Sequence, residues 1–235
     1  MSIFSKLFKS DKQQIVNQID NVIEEHNTNL DNVIINLSKD SIYDYSSLKS
    51  RVKLVLDYSG SMSGRYDSGI MQKVITQILP LALRFDDDGQ LDCFLFSNNY
   101  IEIEPCTINN YSEYVRSVVN KSGFQMGGTR YAPVLKNLHS KTTDSIPDFI
   151  IYITDGDNSD KPETNEIITA MSNDNCFIMF IGIGNSYFPY LESLDNLAGR
   201  DIDNTGFVKF ADIENTDDRT LYTKLLSEYS NWLKK

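Results

Sequence analysis

The chain has 235 residues, a net charge of −11 at neutral pH, and a composition that is 40% hydrophobic and 23% charged. That length and balance fit one generous globular domain with a small appendage, able to bury its own core. The acidity excludes a nucleic-acid binder and disfavours anionic membrane surfaces, and it favours cations, metal ions or basic partner surfaces.

Three cysteines, Cys93, Cys106 and Cys176, are too few and too scattered for a disulfide framework or a zinc site. Cys93 and Cys176 fall in strand-like runs, where free cysteine acts as a small hydrophobe, and a reducing, cytoplasmic compartment is expected. No apolar stretch approaches the ~18 residues of a membrane span. The start, Met1 to Lys9, is too short in apolar residues for a signal peptide. It reads as a docking or frayed terminus, with a small amphipathic membrane-surface segment as the other reading.

In chain order, Ile15, Val16, Ile19, Val22 and Ile23 recur at helical spacing over residues 12–26 and predict an amphipathic helix. Residues 27–50 are polar except for Val33 to Leu37 and read as an arm packed on the main domain. The division expected is an N-terminal helical extension over 1–35 and a domain over 36–235. A buried strand over 51–57 follows, then a helix near 69–85 that Pro80 should kink. Asp86-Asp87-Asp88-Gly89 is a turn, and Leu91 to Phe96 is the second strand. Asn98-Asn99 reverses the chain into Tyr100 to Glu104, a hairpin that adds one antiparallel edge strand.

A short helix is expected over 111–120, and another is entered through Arg130-Tyr131-Ala132-Pro133. Phe149 to Thr154 and Cys176 to Ile183 are apolar throughout and read as central strands. Pro162 and Pro189 open the helices after them, and Phe207 to Phe210 is a short last strand. The final helix carries Leu221, Tyr222, Leu225, Leu226, Tyr229, Trp232 and Leu233 on one stripe. Strands interleaved with helices predict a doubly wound α/β sheet, mostly parallel, with helices on both faces.

The first strand ends abruptly in Asp57-Tyr58-Ser59-Gly60-Ser61. Ligand sites of open α/β sheets lie beyond such carboxyl ends. Hydroxyls two residues apart in a tight loop can face one point above Asp57, and hard oxygens suit Mg²⁺ or Ca²⁺. The bland reading is that Ser59 caps the next helix and Asp57 binds loop amides. Two later loops fit the first. Gly127-Gly128-Thr129 can bring a hydroxyl close to another backbone, and Ile153-Thr154-Asp155-Gly156 puts a second carboxylate at a strand end. If the two strands are neighbours, Asp57, Ser59, Ser61, Thr129 and Asp155 form one constellation.

D-x-S-x-S, then G-G-T, then T-D-G, resembles the metal-ion-dependent adhesion site of von Willebrand factor A domains. Further segments are similar to the tellurium-resistance-associated bacterial members of that family. They include Leu37-Ser38-Lys39, Tyr66-x-x-Gly69-x-x-Gln72, Phe85 to Gly89, Gly127 to Val134, Ile153 to Asp160, Gly182-Ile183-Gly184 and Leu221 to Leu233. The resemblance covers roughly 36–235. It implies a six-stranded sheet with Mg²⁺ on top, Mn²⁺ or Ca²⁺ being alternatives. Ser59 and Ser61 would be direct ligands, Thr129 direct or water-mediated, and Asp57 and Asp155 mostly water-mediated. It also implies a binding module that clasps an acidic side chain of a partner protein, within a stress response of the tellurium-resistance kind.

Other candidates are weaker. Asp155 to Asp160 begins like a calcium loop but lacks the sixth-position glycine and the twelfth-position glutamate, so a helix-capping turn is expected. Asp86-Asp87-Asp88 reads as a solvated turn, and His26 and His139 as surface residues. No catalytic set emerges, so the chain is not expected to be an enzyme. The alternative kept is a Mg²⁺-dependent phosphoryl-transfer or hydrolytic activity at the same site.

Overall fold

A computed structural model describes residues 3–39, 45–143 and 145–234, with the side chains of 3–20 and of Ser46 outside the description. The membrane-surface reading of Met1 to Lys9 therefore lies outside the described side chains. The chain opens with α1 (Ile3–Lys39) and continues through β1 (Arg51–Asp57), α2 (Ser63–Asp67), α3 (Ile70–Phe85), β2 (Leu91–Phe96) and β3 (Tyr100–Cys106). Next come α4 (Tyr114–Ser117), α5 (Ala132–Lys141), β4 (Asp148–Thr154), α6 (Lys161–Met171) and β5 (Cys176–Ile183). The chain ends with α7 (Pro189–Asp195), β6 (Thr205–Phe210) and α8 (Asp218–Trp232). Among the described residues no helix is long and apolar enough to cross a membrane.

The six strands form one sheet in the order β3-β2-β1-β4-β5-β6. All neighbours pair in parallel except β2 and β3, so the doubly wound α/β fold with one antiparallel edge strand is the fold of this chain. Strand alternation sorts the core. Leu54, Leu56, Ile151, Ile153, Met179 and Ile181 face the layer of α1, α3 and α8. Val55, Ile150, Tyr152, Ile178 and Phe180 face the layer of α5, α6 and α7. Burial on both faces is why β4 and β5 read as unbroken apolar runs. Proline is tolerated at Pro105 because β3 is an edge strand.

The structure departs from the sequence reading in the first helix. α1 runs on to Lys39, so half of the expected arm is helix. Its docking stripe is Ile23, Leu30, Val33 and Ile34, all buried against the sheet's helical layer, whereas Val22 is 44% and Ile35 51% exposed. α3 continues through the buried Pro80 without a break, its apolar face held by the core. The helix expected over 111–120 is a short α4 flanked by two 3₁₀ turns. His26 is not a surface residue: its Nδ1 lies 2.6 Å from Asp218 Oδ2, and its side chain is 16% exposed. Together with Asn29 Nδ2 (2.9 Å) it fastens α1 to the start of α8. Cys93 and Cys176 are buried and free, and burial pushes each thiol up to about 12.

Candidate functional site

β1 lies between β2 and β4, where the strand order reverses, and such a switch point opens a crevice beyond the strand ends. Asp57 is the last residue of β1 and is fully buried. Register pairs Leu56 with Ile153, which puts Asp57 beside Thr154 and next to Asp155. Thr154 Oγ1 donates to Asp57 Oδ2 at 2.6 Å, and the Ser59 amide donates to Asp57 Oδ1 at 2.8 Å. Burial pushes the Asp57 carboxyl above the ordinary aspartate range. The hydrogen bonds from Ser59 and Thr154 pull the other way, and the nearby Asp155 charge adds to the rise.

The two serine hydroxyls meet as their spacing implied. Ser59 Oγ and Ser61 Oγ are 3.0 Å apart, and Ser61 Oγ donates to Asp155 Oδ1 at 2.8 Å. Four of the five candidate residues are therefore linked by short contacts. Thr129 joins through its backbone. Its carbonyl accepts from the Ser159 amide at 3.0 Å, and two residues earlier Gly127 carries the bridge to Ser59, with the Gly60 amide 3.0 Å from Gly127 O. No side-chain bond links Thr129 to the other four among the described residues. The Asn98 side chain packs closely over the glycine pair: a Cβ on Gly128 would sit 2.6 Å from Asn98 Oδ1, so a larger residue there would have to displace it.

Several contributors went unnoticed in the sequence. Thr154 supplies the shortest bond to Asp57, and its signal was its place in T-D-G. Tyr131, fully buried, reaches from the start of α5 to Thr154 Oγ1 (3.3 Å) and to Gly156 O (2.8 Å). It thus ties the Thr129 loop to the Asp155 loop. Arg65 on α2 pairs with Asp155, Nη1 to Oδ2 at 2.5 Å, and nothing local in sequence marks it. The Asp155 to Asp160 segment is a capping turn as expected, but it caps a different helix. Asp160 accepts from the Tyr131 and Ala132 amides, each at 3.0 Å, at the start of α5. In the acidic turn, Asp86 accepts from the Val52 amide at 3.2 Å and Asp87 pairs with Lys49.

The donor set is hydroxyl and carboxylate oxygen without nitrogen or sulfur, which fits a hard divalent cation. Among the described residues no three His, Cys, Asp or Glu side chains form a metal cage. The two carboxylates here are completed by hydroxyls instead. The buried charge of Asp57 gives a cation an electrostatic reason to bind.

Comparison with known proteins agrees on the fold. A Bacillus subtilis (strain 168) protein, the uncharacterized YcbR, is 37% identical over 196 residues, 81% of this chain and 80% of that one. BatB from Bacteroides thetaiotaomicron superposes with a TM-score of 0.56 at 16% identity, over 79% of this chain and all of that one. The VWA domain of SpRpn10 superposes at 0.51 with 12% identity, over 77% and 95% of the two chains. Proximal thread matrix protein 1 from the mussel byssus gives 0.56 at 15% identity over 77% of this chain, which spans only 46% of that protein. Residues 49–235 match the model of the vWA-TerF-like family, described as the vWA found in the TerF C terminus. The chain belongs to that family of von Willebrand factor A domains.

Proposed function

We propose that this domain is a metal-dependent protein-binding module whose ion, Mg²⁺ with Mn²⁺ or Ca²⁺ as substitutes, clasps an acidic side chain of a partner. The observation that carries the reading is the chain of contacts from Ser59 Oγ to Ser61 Oγ (3.0 Å) and on to Asp155 Oδ1 (2.8 Å), beside the buried Asp57. Ser59 and Ser61 would hold the ion directly, Thr129 directly or through water, and Asp57 and Asp155 through water. Bound there, the ion supplies a local positive charge for a carboxylate on a chain whose net charge of −11 otherwise repels acidic partners. Asp57 keeps the floor of the loop fixed through Ser59 N and Thr154 Oγ1, and Tyr131 holds the Thr129 loop in register.

The enzymatic alternative finds less support. A nucleophilic Asp57 would need an accessible oxygen, yet the residue is fully buried and both its oxygens accept hydrogen bonds. A place in a tellurium-resistance or related stress response is our reading of the family match, by analogy.

The test is a thermal melt of the full chain in chelator and in MgCl₂. An ion that binds only the folded state raises the melting temperature of the wild type. Asp57→Asn and the double change Ser59→Ala, Ser61→Ala are expected to abolish that rise. A peptide bearing a glutamate should then bind the wild type in Mg²⁺ and not in chelator. Equal Mg²⁺ effects on wild type and Asp57→Asn would sink the metal reading.

A further inference from the structure

Asp155 is held from two sides. Its Oδ1 accepts from Ser61 Oγ at 2.8 Å, and its Oδ2 is 2.5 Å from Arg65 Nη1. The second arm of the guanidinium, Nη2, donates to the Ile183 carbonyl at 3.4 Å, at the last residue of β5. That position is built into the fold. Gly184 has φ +104°, a backbone that favours glycine, and a Cβ there would lie 2.8 Å from Nη2, so the arginine packs closely over it. The Asp155 side chain is 7% exposed and that of Arg65 27%, so the pair is only partly screened. On its other side Arg65 lines a cleft of about 510 Å³ with Gly64, Ile183, Gly184, Asn185 and Asp212. The side chain therefore has room to leave Asp155 without disturbing the core.

We propose that Arg65 is a resident cation of the serine loop: it holds Asp155 until a divalent ion takes that carboxylate over, and it thereby sets the ion affinity of the site. The inference rests on the metal reading above and adds to it a residue outside the five that the family resemblance implies. Three physical steps lead to it. Asp57 and Asp155 end neighbouring strands and converge on the loop, and two carboxylates so placed repel each other unless a cation lies between them. Arg65 supplies one positive charge to that pair and leaves Asp57 with neutral donors only. A divalent ion entering at Ser59 and Ser61 meets the Arg65 charge at short range and competes for the Asp155 charge it neutralises. Affinity is then lower than the oxygens alone would give. A partner carboxylate, arriving with the ion, offsets the arginine and makes ion and partner bind cooperatively.

A structural role and a latch role predict opposite signs. If Arg65 merely shaped the loop, its removal would weaken ion binding. If it is a latch, removal strengthens it. Calorimetric titration of the full chain with MgCl₂ should show Arg65→Gln binding about tenfold tighter than wild type. Arg65→Lys keeps the charge but loses the planar two-point hold, so it should fall between the two. In chelator Arg65→Gln should melt below wild type, and Mg²⁺ should restore it. If the glutamine variant does not fold in chelator, the lysine variant carries the test alone. Either variant binding Mg²⁺ no tighter than a wild type that binds it overturns the latch and leaves the metal reading standing. No heat of binding from wild type or variants overturns both.

Discussion

The bond between Thr154 and Asp57 gives the most direct check on how the site is held. Thr154 Oγ1 lies 2.6 Å from Asp57 Oδ2, and both residues are fully buried. Thr154→Val keeps the shape of the side chain and removes only the hydroxyl, so little cavity term enters. What is lost is a hydrogen bond to a buried carboxylate, worth about 1.5–3 kcal/mol. The remaining contacts of that hydroxyl are long: 3.3 Å from the Gly156 amide, 3.4 Å from the Gly156 carbonyl and 3.3 Å from Tyr131 OH, which keeps Gly156 O at 2.8 Å. The expected cost is therefore about 2–3 kcal/mol, read as a lower urea midpoint at unchanged slope. Introduced on top of Asp57→Asn, the same change meets a neutral partner and should cost only about 1 kcal/mol. The difference is the coupling energy of the pair. Equal costs in the two backgrounds, or a cost under about 0.5 kcal/mol in the wild type, would refute the account of Asp57 as a charge held by Thr154.

Truncation after Thr220 removes six large buried apolar side chains, Leu221, Tyr222, Leu225, Leu226, Tyr229 and Trp232, including the Tyr229 ring stacked 4.2 Å from Phe149. At about 1.5–3 kcal/mol each, their sum of about 9–18 kcal/mol is as large as the whole stability of a typical domain, about 5–15 kcal/mol. The shortened chain should show no cooperative melt by circular dichroism, and a melt matching full length would contradict this packing. Asp218 sits at the junction of α1, α3 and α8. Burial raises its carboxyl, but hydrogen bonds from His26, Asn29 and Gln77 outweigh that, so it titrates below the ordinary aspartate value. A depressed carboxylate contributes stability that is present above its unfolded value, about 3.9, and is lost as pH falls through the lower folded value. The melting-temperature gap between wild type and Asp218→Asn should be full at pH 6 and should close below about pH 4. A gap that stays constant to pH 3 would mean that the charge is not what binds α1.

Much of this was legible where local pattern and tertiary demand agree. Cys176 to Ile183 had to be a doubly buried strand, and Asp57 and Asp155 had to meet once β1 and β4 were neighbours. The course of α1 was hidden by its composition. Asn27, Thr28, Asn29, Asn32 and Asn36 read as an arm, although Leu30, Val33, Ile34 and Leu37 already had the i, i+3, i+4, i+7 spacing of a docking stripe. Two further misses are long-range by nature. Arg65 finds its carboxylate 90 positions away, and Asp160 caps a helix that begins 28 positions earlier in the chain. No window of neighbours contains either pairing.

The treatment of buried aspartates argues for where the function lies. Asp57, Asp148, Asp160 and Asp218 are the buried ones among the described residues. Asp148 is 2.6 Å from Arg51 Nε and 2.7 Å from Lys53 Nζ. Asp218 has His26 at 2.6 Å. Asp160 has Arg130 at 3.6 Å besides the two amides it caps. Asp57 alone is held by neutral donors, and burial drives its carboxyl upward. An uncompensated buried charge is costly. If Asp57 served only to accept the Ser59 amide, the bland reading of the loop, an asparagine oxygen would do the same without that cost. The carboxylate lies beneath two serine hydroxyls, and among the described residues it has no ion pair, whereas Asp148 and Asp160 each face Lys or Arg and Asp218 faces a histidine. Departure from a rule kept elsewhere in the same fold marks a functional position more sharply than the motif alone.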